Sequence, residues 1–164
     1  MLPKLPSAET YKGLTFVSAA NPTVTALTSS NGLVTFRALE PATVSGITPA
    51  PGVSGDTLIG IDFRQSARIL YGLGLSGKVY NLTAASPSST ATTGALTTGK
   101  NYTLDFNPAA APNELSLIDS IGDNNVIDVD TASKTGKPMI TSSANVAPVI
   151  AGLAYTNNFR NSTM

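Results

Sequence analysis

The sequence predicts an all-β fold, a propeller-like repeat of four-stranded antiparallel blades, and three observations predict it. The stretch Leu58 to Leu96 divides into four short strand-like runs separated by turns. Landmarks of that unit recur along the chain at a spacing of about 46 residues, the range of propeller blades. No segment combines apolar residues at i, i+3, i+4 and i+7 with a cap and a stop, so very little helix is expected.

In the clearest unit, Leu58, Ile59, Ile61 and Phe63 form a first apolar run and Arg64 to Ala67 interrupts it. Ile69, Leu70, Tyr71, Leu73 and Leu75 form a second. Near-continuous apolar runs suit strands buried on both faces, which is where the inner strands of a blade lie. Ser76-Gly77 supplies a hairpin turn in which glycine takes positive φ. Val79, Tyr80 and Leu82 make a third strand, and after a polar loop around Pro87 the TATTGAL segment makes a polar outer strand.

Upstream, Val24 to Leu39 reads as a hairpin turning at Ser-Ser-Asn-Gly, with Leu33, Val34 and Phe36 on the return strand. Ala42 to Ile47 is a third strand, and Pro49-Ala50-Pro51-Gly52 breaks it. Pro3 and Pro6 make Met1 to Lys12 an extended arm, followed by a short strand at Leu14, Phe16 and Ser18. The expected organisation is an N-terminal arm with a first strand over residues 1–22 and a β-repeat domain over 23–164.

Two sets of landmarks fix the period. Leu33, Val79 and Val126 each begin a return strand, at spacings of 46 and 47 residues, with Phe36, Leu82 and Val129 three residues later. Asp62-Phe63 and Asp105-Phe106 mark successive first strands 43 residues apart. AGLAYTNN is a third copy, with Tyr155 in the aromatic position and Ala154 replacing the aspartate. The chain holds about three and a half units, fewer than the four or more of a closed propeller, so an incomplete or open array is expected.

The strings LTSSNGLVTF, LIGIDFRQSARILYGLGLSGKVYNL, LDFNPAAAPNELSLIDSIGDNN and GLAYTNN, in that order, resemble the bacterial family of unknown function numbered four-three-nine-four in the DUF series. The resemblance covers Val24 to Asn158, and Gly-Ile-Asp-Phe-Arg and Asp-Phe-Asn-Pro are its most specific strings. It implies propeller-like repeats, an extracellular or periplasmic setting, and a chain truncated at the C-terminus relative to family members. It brings no assigned activity and no site residues.

Composition narrows the function classes. Ten basic and ten acidic side chains cancel, so no summed field draws nucleic acid or an anionic membrane. Charged residues are 12% of the chain against roughly 25% in an average domain, which leaves solubility to Ser, Thr and Asn. The absence of cysteine removes thiolate chemistry, and the absence of histidine removes the commonest general base and metal ligand. No apolar run approaches the roughly 20 residues of a membrane-spanning helix, and no signal peptide is expected in this chain.

Asp62 and Asp105, recurring at equivalent positions, suit either the paired carboxylates of a glycosidase or acceptors for turn amides that fix the following loop. The second is expected, with Arg64 and Arg68 as supporting ion-pair partners. Asp119, Asp123, Asp128 and Asp130 are candidate ligands for a hard cation such as Ca²⁺, although the spacing fails the EF-hand pattern. Tyr71, Tyr80, Tyr102 and Tyr155 are candidates for a glycan-stacking surface, with packing between blades the expected role. Serine nucleophiles have no histidine partner. The expectation is a non-catalytic structural or interaction module without a required cofactor, a subunit partnered by other proteins or by itself. The alternative is a glycan- or small-ligand-binding module that uses Ca²⁺.

Overall fold

The computed structural model describes residues 11–16, 21–83, 89–92, 94–108, 113–131, 133–144, 146 and 148–155. Among them are thirteen strands in three antiparallel sheets and no helix. The first sheet runs β1 (Tyr11–Phe16), β2 (Thr23–Thr28), β3 (Gly32–Arg37) and β4 (Glu40–Val44), with the short β5 (Thr48–Pro49) also paired to β3. The second runs β6 (Leu58–Arg64), β7 (Ile69–Gly74), β8 (Lys78–Asn81) and β9 (Ser89–Thr92). The third runs β10 (Tyr102–Phe106), β11 (Glu114–Asp119), β12 (Asn124–Asp128) and β13 (Ser133–Lys137). Each sheet follows chain order, and β6 packs between β1 and β10, so the first strands line one side of the stack. This is the propeller-like, open repeat that the sequence predicts.

β1 pairs with β2 along its length, from Tyr11↔Thr28 to Phe16↔Val24, so the short strand expected within residues 1–22 is part of the first sheet. Met1 to Thr10, Ser18 and the loop around Pro87 lie outside the described residues. One expectation, the register of the repeat, needs correction. Following the pairings outward gives the rows Thr15–Thr25–Thr35, Asp62–Tyr71–Asn81 and Asp105–Ser116–Val126. Val126 is thus the counterpart of Asn81, and Val79 corresponds to Asn124. A slip of two residues keeps every side chain on its own face, so the apolar pattern alone does not reveal it.

The hairpin between second and third strands is the most faithful part of the repeat. Asn31, Gly77 and Gly122 donate their amides to the carbonyls of Thr28, Gly74 and Asp119 at 3.2, 2.9 and 3.1 Å. All three donors have positive φ, at 62°, 81° and 94°. Asparagine and glycine are the residues that enter this region at least cost, which explains their recurrence here. The chain then returns to the first and third of these turns, where Ala50 and Ile140 donate to the Asn31 and Gly122 carbonyls.

The middle sheet serves two cores. Tyr71, Leu73 and Val79 face the third sheet and pack with Phe106, Leu115, Leu117, Ile127 and Val129. Leu58, Ile61, Leu70, Tyr80 and Leu82 face the first sheet and pack with Leu27 and Ala50. Burial on both faces is why its strands read as apolar runs instead of alternating. Gly60 gives the third sheet room, since a Cβ there would lie 2.8 Å from Leu104 Cδ2.

Candidate functional site

The inner strands carry the most unusual polar arrangement in the molecule. Asp62 Oδ1 accepts from the Phe63 amide and Oδ2 from the Phe106 amide of the next sheet, both at 2.7 Å. Asp105 repeats the gesture toward the segment after the third sheet, accepting from the Tyr155 amide. Residues Ala154 and Tyr155 therefore stand where Asp105 and Phe106 stand in the preceding unit. Tyr155 is fixed by a second bond, between its hydroxyl and Ser116 Oγ at 2.8 Å. Asp62 thus ties its own strand to the next sheet, and Asp105 ties the third sheet to the segment at Tyr155.

Both carboxyls are buried, each 7% exposed. Burial, followed by the neighbouring Asp105 carboxyl, pushes the Asp62 carboxyl up from 3.8 to about 7, against the pull of the Phe106 and Phe63 amides. Arg64 does not pair with Asp62, whose oxygens are engaged by amides. It reaches across to Asp130 in a two-pronged ion pair at 2.6 and 2.9 Å, a second link between the same two sheets. Arg68, with φ of 58°, instead closes the β6–β7 turn through its amide to the Arg64 carbonyl.

The four candidate cation ligands fall in two pairs at opposite ends of the third sheet, Asp119 with Asp123 and Asp128 with Asp130. Asp119 ends β11, pairs with Lys100 and accepts the Asp123 and Ile121 amides at 2.8 and 3.0 Å. Burial pushes its carboxyl up, but Lys100 and those amides together hold it below 3.8. Asp128 lies at the other end of the sheet, accepting from the Asp130 and Thr131 amides and from Asn113. Burial opposes these bonds too, and they keep Asp128 below 3.8. Asp130 serves Arg64, and Asp123 lies in the β11–β12 turn. Among the described residues no three acidic groups share a position that would surround one ion.

The tyrosines do not converge on one surface. Tyr71 is buried against Phe106, ring centres 5.3 Å apart and planes 55° from parallel. The Tyr80 hydroxyl donates to Asp56 at 3.0 Å, and the Tyr102 hydroxyl accepts from the Thr97 amide at 2.9 Å.

Sequence reasoning missed a polar clamp at the head of the second sheet. Asp56 accepts from the Thr57 and Ser76 amides, the Ser76 hydroxyl and Tyr80. Burial pushes this carboxyl up, yet those four donors hold it below 3.8. Asn31 joins the first sheet to the second, donating to the Asp56 carbonyl at 2.7 Å and accepting from the Leu58 amide at 3.0 Å. Asparagine in the turn was a visible signal for left-handed backbone, but nothing local marks its side chain as a cross-blade bond.

No helix among the described residues is long and apolar enough to cross a membrane. No curated protein matches the chain. Among solved structures, the computationally designed Ika4 protein is similar with a TM-score of 0.54 at 12% identity, over 96% of this chain and 88% of that one. A structural genomics protein of unknown function from Bacteroides thetaiotaomicron VPI-5482 is similar at 0.50 and 17%, over 79% of this chain and 32% of that one. The β-propeller domain of Cps50 (Swd1) from Myceliophteria thermophila is similar at 0.52 and 8%, over 90% of this chain and 46% of that one. The chain spans less than half the length of the last two, and at these identities the likeness is one of fold, that of propeller-like sheets. The family described as Domain of unknown function (DUF4394) matches residues 32–164, four-fifths of the sequence, and the chain belongs to that family.

Proposed function

We propose that this protein is a non-catalytic interaction module, a subunit that packs onto a second copy of itself through the rim of its third sheet. The observation that carries this reading is a group of exposed apolar side chains at that rim. Val149 is 93% exposed and Val146 62%, while Ile121 and Met139 are about half exposed. The backbone brings them together: Ile140 donates to the Gly122 carbonyl, Ile150 to the Ser120 carbonyl, and Ser142 to the Val146 carbonyl. Clustered apolar side chains held in place at a surface are the usual mark of a protein contact. Zero formal net charge means that two copies do not repel, which favours a second copy as the occupant.

Support for a non-catalytic role comes from how the acidic groups are used. Asp56, Asp62, Asp105, Asp119 and Asp128 each take backbone amides of their own or a neighbouring sheet, which suits holding sheets in place. Sedimentation velocity over a concentration series tests the proposal. Self-association that is lost in Val149→Asp and Met139→Asp is the expected result. A monomer at every concentration, or association indifferent to both changes, would count against it.

A further inference from the structure

Asn31-Gly32 is the one Asn-Gly pair in the sequence, and it lies where the turn after β2 enters β3. Packing requires the glycine, since a Cβ at Gly32 would lie 2.3 Å from Ile47 Cγ2. Glycine after asparagine has a chemical consequence. With no side chain to shield it, the Gly32 nitrogen can attack Asn31 Cγ. The N–Cγ bond forms, the Cγ–Nδ2 bond breaks, and the Gly32 amide proton departs with Nδ2 as ammonia. Water then opens the resulting succinimide to aspartate or isoaspartate, with no oxidant or reductant involved.

In the folded protein both reacting groups are engaged. Asn31 Nδ2 donates to the Asp56 carbonyl at 2.7 Å and Oδ1 accepts from the Leu58 amide at 3.0 Å, so the carboxamide joins the first sheet to the second. The buried Gly32 amide donates to Thr28 Oγ1 at 3.0 Å. The Asn31 main chain is fixed as well, its amide donating to the Thr28 carbonyl and its carbonyl accepting from Ala50. Reaction requires the carboxamide to leave Asp56 and Leu58, and the Gly32 amide to leave Thr28. We propose that Asn31 is a spontaneous deamidation site held in check by this joint, and that its conversion irreversibly loosens the first sheet from the second.

The loosening follows from the donors available. An asparagine carboxamide donates through nitrogen and accepts through oxygen, whereas a carboxylate only accepts. After conversion an oxygen stands where Nδ2 stood and faces the Asp56 carbonyl with no proton between them, which leaves that carbonyl without its partner at the joint. Isoaspartate does more, because it adds a carbon to the main chain in a turn where Asn31 holds a φ of 62°.

Peptide-mapping mass spectrometry of the whole chain, incubated in mildly alkaline buffer with and without urea, tests the restraint. Conversion at Asn31 should be at least about tenfold slower in the folded protein than in urea, since it then needs a local opening. It should be faster in folded Thr28→Val than in folded wild type, and unchanged in Thr28→Ser, which keeps the hydroxyl. Equal wild-type rates with and without urea, or a rate that folded Thr28→Val leaves unchanged, overturn the proposal. If Thr28→Val does not fold, the wild-type comparison with urea decides. Converted wild-type protein made in urea, returned to buffer and separated by anion exchange, tests the loosening. A lower unfolding midpoint and faster hydrogen exchange at the Leu58 amide than in the unconverted fraction are expected, and equality in both overturns it.

Discussion

At the scale of single residues, much of the architecture rests on small polar groups placed where a backbone amide would otherwise go unmet. Asp56 occupies the space that a Cβ on Gly74 would take, so a glycine is required there although its φ is not positive. Gly74→Ala should therefore displace the Asp56 clamp and cost about 1–3 kcal/mol in denaturant unfolding. Gly46 has open space around its Cβ position, and Gly46→Ala should stay within about 0.5 kcal/mol of wild type. Removing the hydroxyl donor in Tyr80→Phe should cost about 1 kcal/mol by the same measurement.

None of these partners was legible in the sequence. Asp56 and Gly74 are eighteen positions apart with no pattern linking them, and a carboxylate that takes turn amides looks the same on paper as one that faces solvent. The recurrence of Asp62 and Asp105 was legible. That their acceptors reach the next sheet was not, because it depends on how neighbouring inner strands are offset.

At the scale of elements, the strands of the middle sheet were plain because burial on both faces concentrates Leu, Ile, Val and Tyr into short runs bounded by turn residues. The first strand was harder to place. YKGLTF carries few apolar residues, and only its pairing with β2 assigns it to a sheet. The shift of two residues at Val126 shows the limit of pattern reading, since a period of two is unchanged by it.

Between elements, the Arg64–Asp130 pair links β6 to the loop after β12, with the Asp130 side chain 53% exposed. Solvent screening keeps such a pair weak, so a double-mutant cycle with Arg64→Ala and Asp130→Ala should give a coupling of less than about 1 kcal/mol. A much larger coupling would mean that the pair, rather than apolar packing, holds the two sheets together.

At the scale of the whole molecule, the three sheets are joined by Asn31 to β6 and by Asp62 to β10, and Asp105 holds the segment at Tyr155 onto the third sheet. Titration of the acidic groups with shifted values sets opposing trends. Asp56, Asp119 and Asp128, held below 3.8, contribute stability above that pH and lose it as pH falls through their folded values. Asp62, raised, loses its contribution as pH rises towards 7. Stability should therefore peak in mildly acidic solution, and unfolding midpoints should decline on both sides of that peak.

The carboxyl-to-amide step from one inner strand to the next is the contact on which this account of the stack depends, and amide hydrogen exchange by NMR measures it most directly. The Phe106 and Tyr155 amides should be protected in the wild type, with protection lost at Phe106 in Asp62→Ala and at Tyr155 in Asp105→Ala. Rapid exchange at both amides in the wild type, or protection that survives these substitutions, would contradict it.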